Sequence, residues 1–449
     1  MSAFFEQDNT KIYDHVYLLV DCNNFFVSCE RILRPDLNFK PVVVLSNNDG
    51  CVVARSDEVK AMGVEMGVAV FKIRKLIESK KITVFSSNFD LYIDISTRVM
   101  RILESLCPRV EQYSVDESFL YLSKATEDEA KDLACKIRNT LAFSLGIPVG
   151  IGIGTSKTLA KIASYHAKKF CKNTGSYYSV LNDKDRSSLL KNSAVSSIWG
   201  VGKKLSQRLQ ALGIYTAWQL SQFDLRKLQR EFNINVVKTA KELNGIDCIV
   251  EDCSEANQAQ IMWSRSFKQR LLKKEELFEA LANYTARAAE KLRLQNKYCK
   301  CLSFHIRTSL YGDKAKYSAE KTVYLPYWSN DTRDFIEAAK HALDLMYKPG
   351  FEYMKAGVIL TDFSFTREEQ SDLFGFVPQI DELQKSDSLM QAIDFLNTKM
   401  KSAVYLGAQG GLLCDKKYSE RKFLSKSFVD FNNLPTVTAF TSLKNHKKK

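Results

Sequence analysis

The sequence predicts a multidomain α+β protein, and three observations lead there. The chain has 449 residues, enough for about three domains of roughly 150 residues each. As far as about residue 178, short β-branched runs alternate with helical stripes. Short helices follow to about 257, and residues 258–365 then read in the order β-α-β-β-α-β, a compact α+β module.

The elements follow in order. The lead-in MSAFFEQDNTKIYDH is mixed and polar, and residues 1–15 read as an N-terminal extension with no signal-peptide pattern. Val16 to Val20 form an apolar strand that stops at an acid, Asp21. KPVVVLSNN (40–48) is a second β-branched run. From Asn88 to Ser105 the spacing turns helical, with Leu91, Ile95, Val99, Ile102 and Leu106 on one face. The run YSVDESFLYL (113–122) reads as a strand, 127–145 as a helix, and IPVGIGIG (147–154) as a strand whose glycines permit close approach. Thr155 or Ser156 can cap the next helix, which carries Lys157, Lys161 and Lys168. SIWGVGKKLSQRLQALGI (197–214) marks the short-helix region.

In the β-α-β-β-α-β module, IMWSRSFKQR is the first strand. A helix with Leu277, Leu281, Tyr284, Ala288 and Leu292 on one stripe follows, then strands near 301–308 and 319–325. Asp331 can cap a second helix bearing Phe335, Ala339, Leu343 and Met346, and KAGVILTDF closes the module. After 366 the chain is polar and irregular and reads as a partly ordered tail.

Composition narrows the function. Hydrophobic residues make up 45% and charged residues 26%, so each domain can bury a core. No apolar run approaches the roughly 18 residues of a membrane-spanning helix. Eleven cysteines form no CxxC pair, which suits reduced thiols in a cytosol better than a disulfide frame or a zinc site. The net charge is +13, and residues 258–365 hold 18 Lys and Arg against 12 Asp and Glu. A distributed positive balance suits a polyanion such as nucleic acid; a basic protein without such a partner has the same composition.

Asp116 and Glu117 lie side by side in an apolar run. Left unpaired they would cost on the order of several kcal/mol. A divalent cation supplies the counter-charge, and Mg²⁺ favours one or two carboxylates with phosphates and waters. Successive strand residues point to opposite faces, so the strand must bend there or one acid must act from its edge. Asp21 is the natural third ligand, and three such acids can hold two cations about 4 Å apart for in-line phosphoryl chemistry. The alternative is a hairpin whose acids pair with Lys or Arg.

Phe25 and Phe26 follow Asp21 directly and also suit core packing. Arg55, Lys60 and Lys168 either converge on a triphosphate or stay solvated. GIGIGTSK (150–157) lacks the Walker spacing, because Thr155 and Ser156 intervene before Lys157. Gly200 and Gly202, followed by Lys203 and Lys204, suit a helix-hairpin-helix turn that grips a nucleic-acid phosphate. A plain helix-linking turn fits them equally.

Taken together, DCNNFF, PVVVLSNNDGCVVARS, YSVDESF, VGIGIGTSKTLAKIA and SIWGVGKKLSQRL resemble, in order and spacing, the motifs of the Y-family translesion DNA polymerases. SNNDGCVVAR is characteristic of the UmuC branch. The likeness spans about Tyr17 to Gly410. It implies a right-hand polymerase: palm (16–25 and 86–178), small fingers (26–85), helical thumb with the helix-hairpin-helix (179–257), a β-α-β-β-α-β little finger (258–365) and a C-terminal interaction region (366–449).

It further implies error-prone, template-directed synthesis across damaged DNA in an SOS-type response, with primer-template DNA and dNTPs as substrates and a cytoplasmic, nucleoid-associated setting. Asp21, Asp116 and Glu117, with the Cys22 carbonyl, would hold two Mg²⁺, Mn²⁺ being able to substitute. Phe26 falls at the steric gate that excludes a 2′-hydroxyl, with Phe25, Arg55, Lys60 and Lys168 around the nucleotide. Ser118 replaces the usual Ala after the acid pair. QSDLF fits a sliding-clamp docking motif through Gln370, Leu373 and Phe374. A processed UmuD dimer and a RecA filament are the further partners implied. The alternatives are a DinB-like polymerase of the same family, an inactive polymerase-like repair scaffold, and another nucleotidyl-transfer enzyme such as a cyclase.

Overall fold

The computed structural model describes residues 11–171, 175–249, 259–367, 380–400, 404–410 and 422–425. The chain divides into two units. One comprises Met1–Ser46, Gly50–Asp252 and Phe423–Lys449; the other comprises Asn47–Asp49 and Cys253–Lys422.

The first unit is organised by its opening strand, β1 (Ile12–Cys22). Three short strands follow, β2 (Val42–Leu45), β3 (Val52–Arg55) and β4 (Thr83–Ser86), and form a small sheet in the order β3-β2-β4. The next strands are β5 (Val110–Gln112), β6 (Glu117–Thr126), β7 (Val149–Gly154) and β8 (Tyr177–Ser179). With β1 they form a five-stranded sheet in the order β5-β6-β1-β7-β8. β1 lies antiparallel to both β6 and β7.

Val16 to Val20 are all buried, because both faces of β1 are covered. Val16, Leu18 and Val20 pack with Leu91, Ile95 and Val99 of the Phe89–Leu106 helix and with Ala134, Ile137 and Leu141 of the Glu127–Leu145 helix. Tyr17 and Leu19 face the other way, onto Phe119 and Ala160. Each fully buried side chain of this size contributes about 1.5–3 kcal/mol.

The Lys157–Phe170 helix covers that second face, and Ser156 caps it by accepting from the Leu159 amide. It approaches β7 closely. A Cβ on Gly152 would strike the backbone of Ala160 and Ser164, so only glycine fits there. The opposite side of this helix, Leu159, Ile162 and Ala163, packs into a cluster of short helices through Leu189, Leu209, Leu220, Val237 and Leu243. Fully buried Glu242 secures the junction, accepting from the Thr158 amide at 3.0 Å and the Cys248 amide at 2.7 Å. Apart from Asn47–Asp49 and residues 253–257, the regions expected as palm, fingers and thumb fall in one unit.

Phe423–Ser425 also belongs to the first unit. The Ser86 amide donates to the Phe423 carbonyl at 3.0 Å, and the Ser425 hydroxyl donates to Glu30 at 3.2 Å.

The second unit holds β9 (Gln260–Leu271), a helix (Lys274–Leu294), β10 (Tyr298–Thr308), β11 (Ser318–Ser329), a helix capped by Asp331 (Thr332–Met346) and β12 (Tyr353–Ser364). The sheet order is β11-β10-β12-β9, antiparallel throughout. The predicted β-α-β-β-α-β order is what the chain adopts.

Two expectations are corrected. The strand expected over 113–122 begins only at Glu117 and runs on to Thr126; residues 113–116 form the turn that links β5 to β6. The region after 366 also contains a 20-residue helix, Ile380–Lys399. Ion pairs between Arg293 and Asp394 at 2.6 Å and between Arg367 and Asp387 at 2.9 Å tie it to the second unit.

Candidate active site

β1 and β6 pair so that Asp21 lies opposite Glu117. Asp116 immediately precedes β6, and its carbonyl accepts from the Cys22 amide at 2.8 Å. The turn resolves the alternation problem. Asp116 sits off the strand, where the Ser114 hydroxyl holds its carboxylate at 2.6 Å, and Glu117 starts the strand on the face of Asp21. The acids do mark a hairpin, and they also gather in one place.

Two lysines meet them. Lys168 forms an ion pair with Asp21. Lys161 reaches Glu117 at 2.7 Å. Lys157, from the same helix, is fully buried and bonds to Glu111 at 2.5 Å. Lys168 reaches Asp21 by passing over Gly150, the residue opposite Asp21 on β7. A Cβ there would come within 2.5 Å of the Lys168 Cγ.

Burial pushes the Asp21 carboxyl well above its usual range, and the charges of Glu117 and Asp116 add to this against the pull of Lys168. Asp21, buried beside two further carboxylates, wants more positive charge than Lys168 supplies. Among the described residues, no group of three or more His, Cys, Asp or Glu side chains is arranged to hold a metal ion. The acids suit a hard cation nonetheless, because carboxylate oxygens are its favoured donors. Burial pushes the Cys22 thiol far up.

Asn24, in a left-handed conformation, starts the Phe25–Leu33 helix. It turns Phe25 into the core, where it is 3% exposed. The Phe25 ring packs with the core around β1. Phe26 instead stacks on Tyr92, with centroids 4.4 Å apart and planes 13° apart, and meets Phe89 edge-on at 5.9 Å. Tyr92 is held by its hydroxyl, which donates to fully buried Glu30 at 2.7 Å.

Arg55 ends β3, and its Nε and Nη1 are buried with no hydrogen-bond partner among the described residues. Lys60 lies against Asn24 and pairs with Asp57 at 3.1 Å. Gly200 has φ +83°, and Gly202 starts the Lys203–Ala211 helix without a side-chain cap. Lys203 and Lys204 are exposed. The element before this turn is the single 3₁₀ turn Val195–Ser197, so the first arm of the hairpin is short. Gln370, Leu373 and Phe374 lie outside the described residues.

Lys161 is the site residue that sequence reasoning missed. Its signal was present: Lys157, Lys161 and Lys168 recur at helical spacing on one face.

The motifs extend well beyond this centre. The impB/mucB/samB family model matches residues 20–165, and the model of that family's C-terminal domain matches 258–373. Protein ImpB of Salmonella typhimurium is 40% identical over 399 residues, covering 88% of this chain and 93% of that protein. The chain belongs to the impB/mucB/samB family. Another relative, protein UmuC of Salmonella typhimurium strain LT2, is also 40% identical, over 403 residues covering 88% of this chain and 94% of UmuC. A solved Y-family DNA polymerase chimera superposes with a TM-score of 0.61 at 18% identity, over 77% of this chain and 98% of the chimera. The impB/mucB/samB chain thus has the fold of a Y-family DNA polymerase. No helix among its described residues is long and apolar enough to cross a membrane.

Proposed function

We propose that the chain is an error-prone DNA polymerase that extends a primer across damaged template by two-metal nucleotidyl transfer. The observation that carries this reading is the meeting of Asp21, Glu117 and Asp116 at one end of the β1–β6 pair, with Lys161 and Lys168 beside them. The two Mg²⁺, when bound, lower the pKa of the primer 3′-hydroxyl and neutralise charge on the departing pyrophosphate.

The chain's own residues do the rest. Asp21, Asp116, Glu117 and the Cys22 carbonyl hold the cations. The Phe26 ring, backed by Tyr92, closes the space a 2′-hydroxyl would need. Arg55 brings unpartnered N–H groups to the triphosphate. Lys60, Lys161 and Lys168 would supply further charge there, the last two being released from Glu117 and Asp21 if those acids held the cations. Gly200, Gly202, Lys203 and Lys204 grip the DNA backbone, and the second unit, expected as the little finger, adds a basic surface.

QSDLF is a docking motif for the sliding clamp. A processed UmuD dimer and a RecA filament complete the active assembly in the nucleoid. A polymerase-like scaffold without activity is the competing reading, and the intact acid set speaks against it. Primer extension past an abasic site with Mg²⁺, with and without those partners, tests the proposal. Asp116→Asn must abolish extension and leave DNA affinity unchanged; extension by that variant would defeat the proposal.

A further inference from the structure

The residue just before the phosphate-gripping turn, Trp199, is in contact with the catalytic hairpin. Its indole N–H donates to the Tyr113 hydroxyl at 3.0 Å. The two rings meet edge-to-face, with centroids 5.3 Å apart at 83°. Phe119 backs both, at 5.8 Å from Tyr113 and 6.0 Å from Trp199. The Lys161 ammonium sits 4.5 Å from the centroid of Tyr113 and 5.6 Å from that of Trp199, while bonded to Glu117 at 2.7 Å. One cation is therefore held by two aromatic rings and a carboxylate.

Tyr113 and Glu117 belong to the same turn, since the Tyr113 amide donates to the Glu117 carbonyl at 3.1 Å. Trp199 precedes Gly200, whose positive φ shapes the turn. The aromatic pair thus joins two places that the proposed function assigns to different tasks.

We propose that Trp199 is a positioning residue: with Tyr113 it forms an aromatic seat that holds Lys161 beside Glu117 and couples its placement to DNA engagement at Gly200–Gly202. The inference rests on the polymerase reading and adds to it. A cation arriving at Glu117 removes the reason for the Lys161–Glu117 pair. Without a second hold, the freed ammonium would swing into solvent. The ring faces attract it through their quadrupoles and keep it within reach of an anionic group arriving at the acids. A phosphate bound at the turn fixes the backbone next to Trp199, and so fixes one wall of the seat.

The test uses the full chain, its partners and primer-template DNA. Nucleotide binding is measured at equilibrium with Ca²⁺ in place of Mg²⁺, and extension separately with Mg²⁺. Trp199→Ala is expected to weaken dNTP binding roughly tenfold, through loss of one ring face and the anchor of the other, with DNA affinity unchanged. Trp199→Phe and Tyr113→Phe each break the hydrogen bond, so each should raise the dNTP Kd by a similar smaller factor. The double variant should be no worse than either, because both remove one interaction.

Unchanged dNTP affinity in Trp199→Ala overturns the inference. So do multiplying effects in the double variant, or a loss of dNTP affinity matched by a loss of DNA affinity. Asp116→Asn, run alongside, judges the polymerase reading by itself: extension by that variant defeats that reading, whereas normal dNTP binding by Trp199→Ala defeats only the aromatic seat.

Discussion

Gly150 and Gly152, two residues apart on β7, make a controlled pair of perturbations. Both gain one methyl group as alanine. At Gly152 the added Cβ meets the backbone of Ala160 and Ser164, and the Ala163 carbonyl carbon at 2.8 Å. Backbone in a helix cannot rotate away, so the Lys157–Phe170 helix must move off the sheet. Overpacking of this kind costs about 1–3 kcal/mol, and the rigid neighbours place Gly152→Ala near about 3 kcal/mol. For a unit of this size, each kcal/mol lowers the melting temperature by about 2–4 °C, so a drop of about 6–12 °C is expected.

At Gly150 the obstacle is the Lys168 side chain, with Cγ at 2.5 Å. That chain can swing aside, so Gly150→Ala should cost less than about 1 kcal/mol. Swinging aside takes the ammonium away from Asp21, so primer extension should slow while the fold survives. Differential scanning calorimetry and steady-state extension on the two variants read these effects. If Gly152→Ala melts within about 2 °C of the parent, or Gly150→Ala is the less stable of the two, the account of helix-to-strand contact is wrong.

Phe26→Ala should admit ribonucleotides, read as a falling ratio of dNTP to rNTP incorporation efficiency; an unchanged ratio removes Phe26 from the gate. Deleting 370–374 should reduce clamp-dependent synthesis and spare distributive synthesis, and equal survival of both would dispose of the docking motif. Changing Lys203 and Lys204 together to Ala should weaken DNA binding at all sequences and reduce its log–log salt slope by about 2; a preserved slope would show that neither contacts phosphate. Asp331 supplies a pH test. Burial pushes its carboxyl up, but hydrogen bonds from Arg333 and Ser386 and the Arg333 charge hold it below its usual value. A depressed carboxylate contributes stability above its unfolded pKa and loses it as pH falls through the folded value. The second unit should therefore destabilise below about pH 4, and Asp331→Asn should flatten that limb in thermal melts.

Much of this was legible in the residues, for identifiable reasons. Strong periodicity gave the Phe89–Leu106 and Glu127–Leu145 helices and the whole β-α-β-β-α-β unit. Asp21, Asp116 and Glu117 stood out because acids interrupt apolar strands. Their register did not, since pairing Asp21 with Glu117 depends on the hairpin at 113–116 and is a long-range fact. The Ile380–Lys399 helix escaped notice because it is fastened by salt bridges, not by an apolar stripe. Leu389 and Phe395 remain exposed, and Met390 is its one fully buried apolar side chain among the described residues. Phe25 and Phe26 were indistinguishable by type. The left-handed turn at Asn24 decides which enters the core and which stacks on Tyr92.

The Lys157–Phe170 helix serves as a common axle. One flank presses on the five-stranded sheet and the other bears the small-helix cluster, while its ammonium groups project among the acids. Tilting the cluster as it takes hold of a duplex would drag those positive charges with it. Substrate grip and charge balance at the reacting centre are thereby mounted on the same rod.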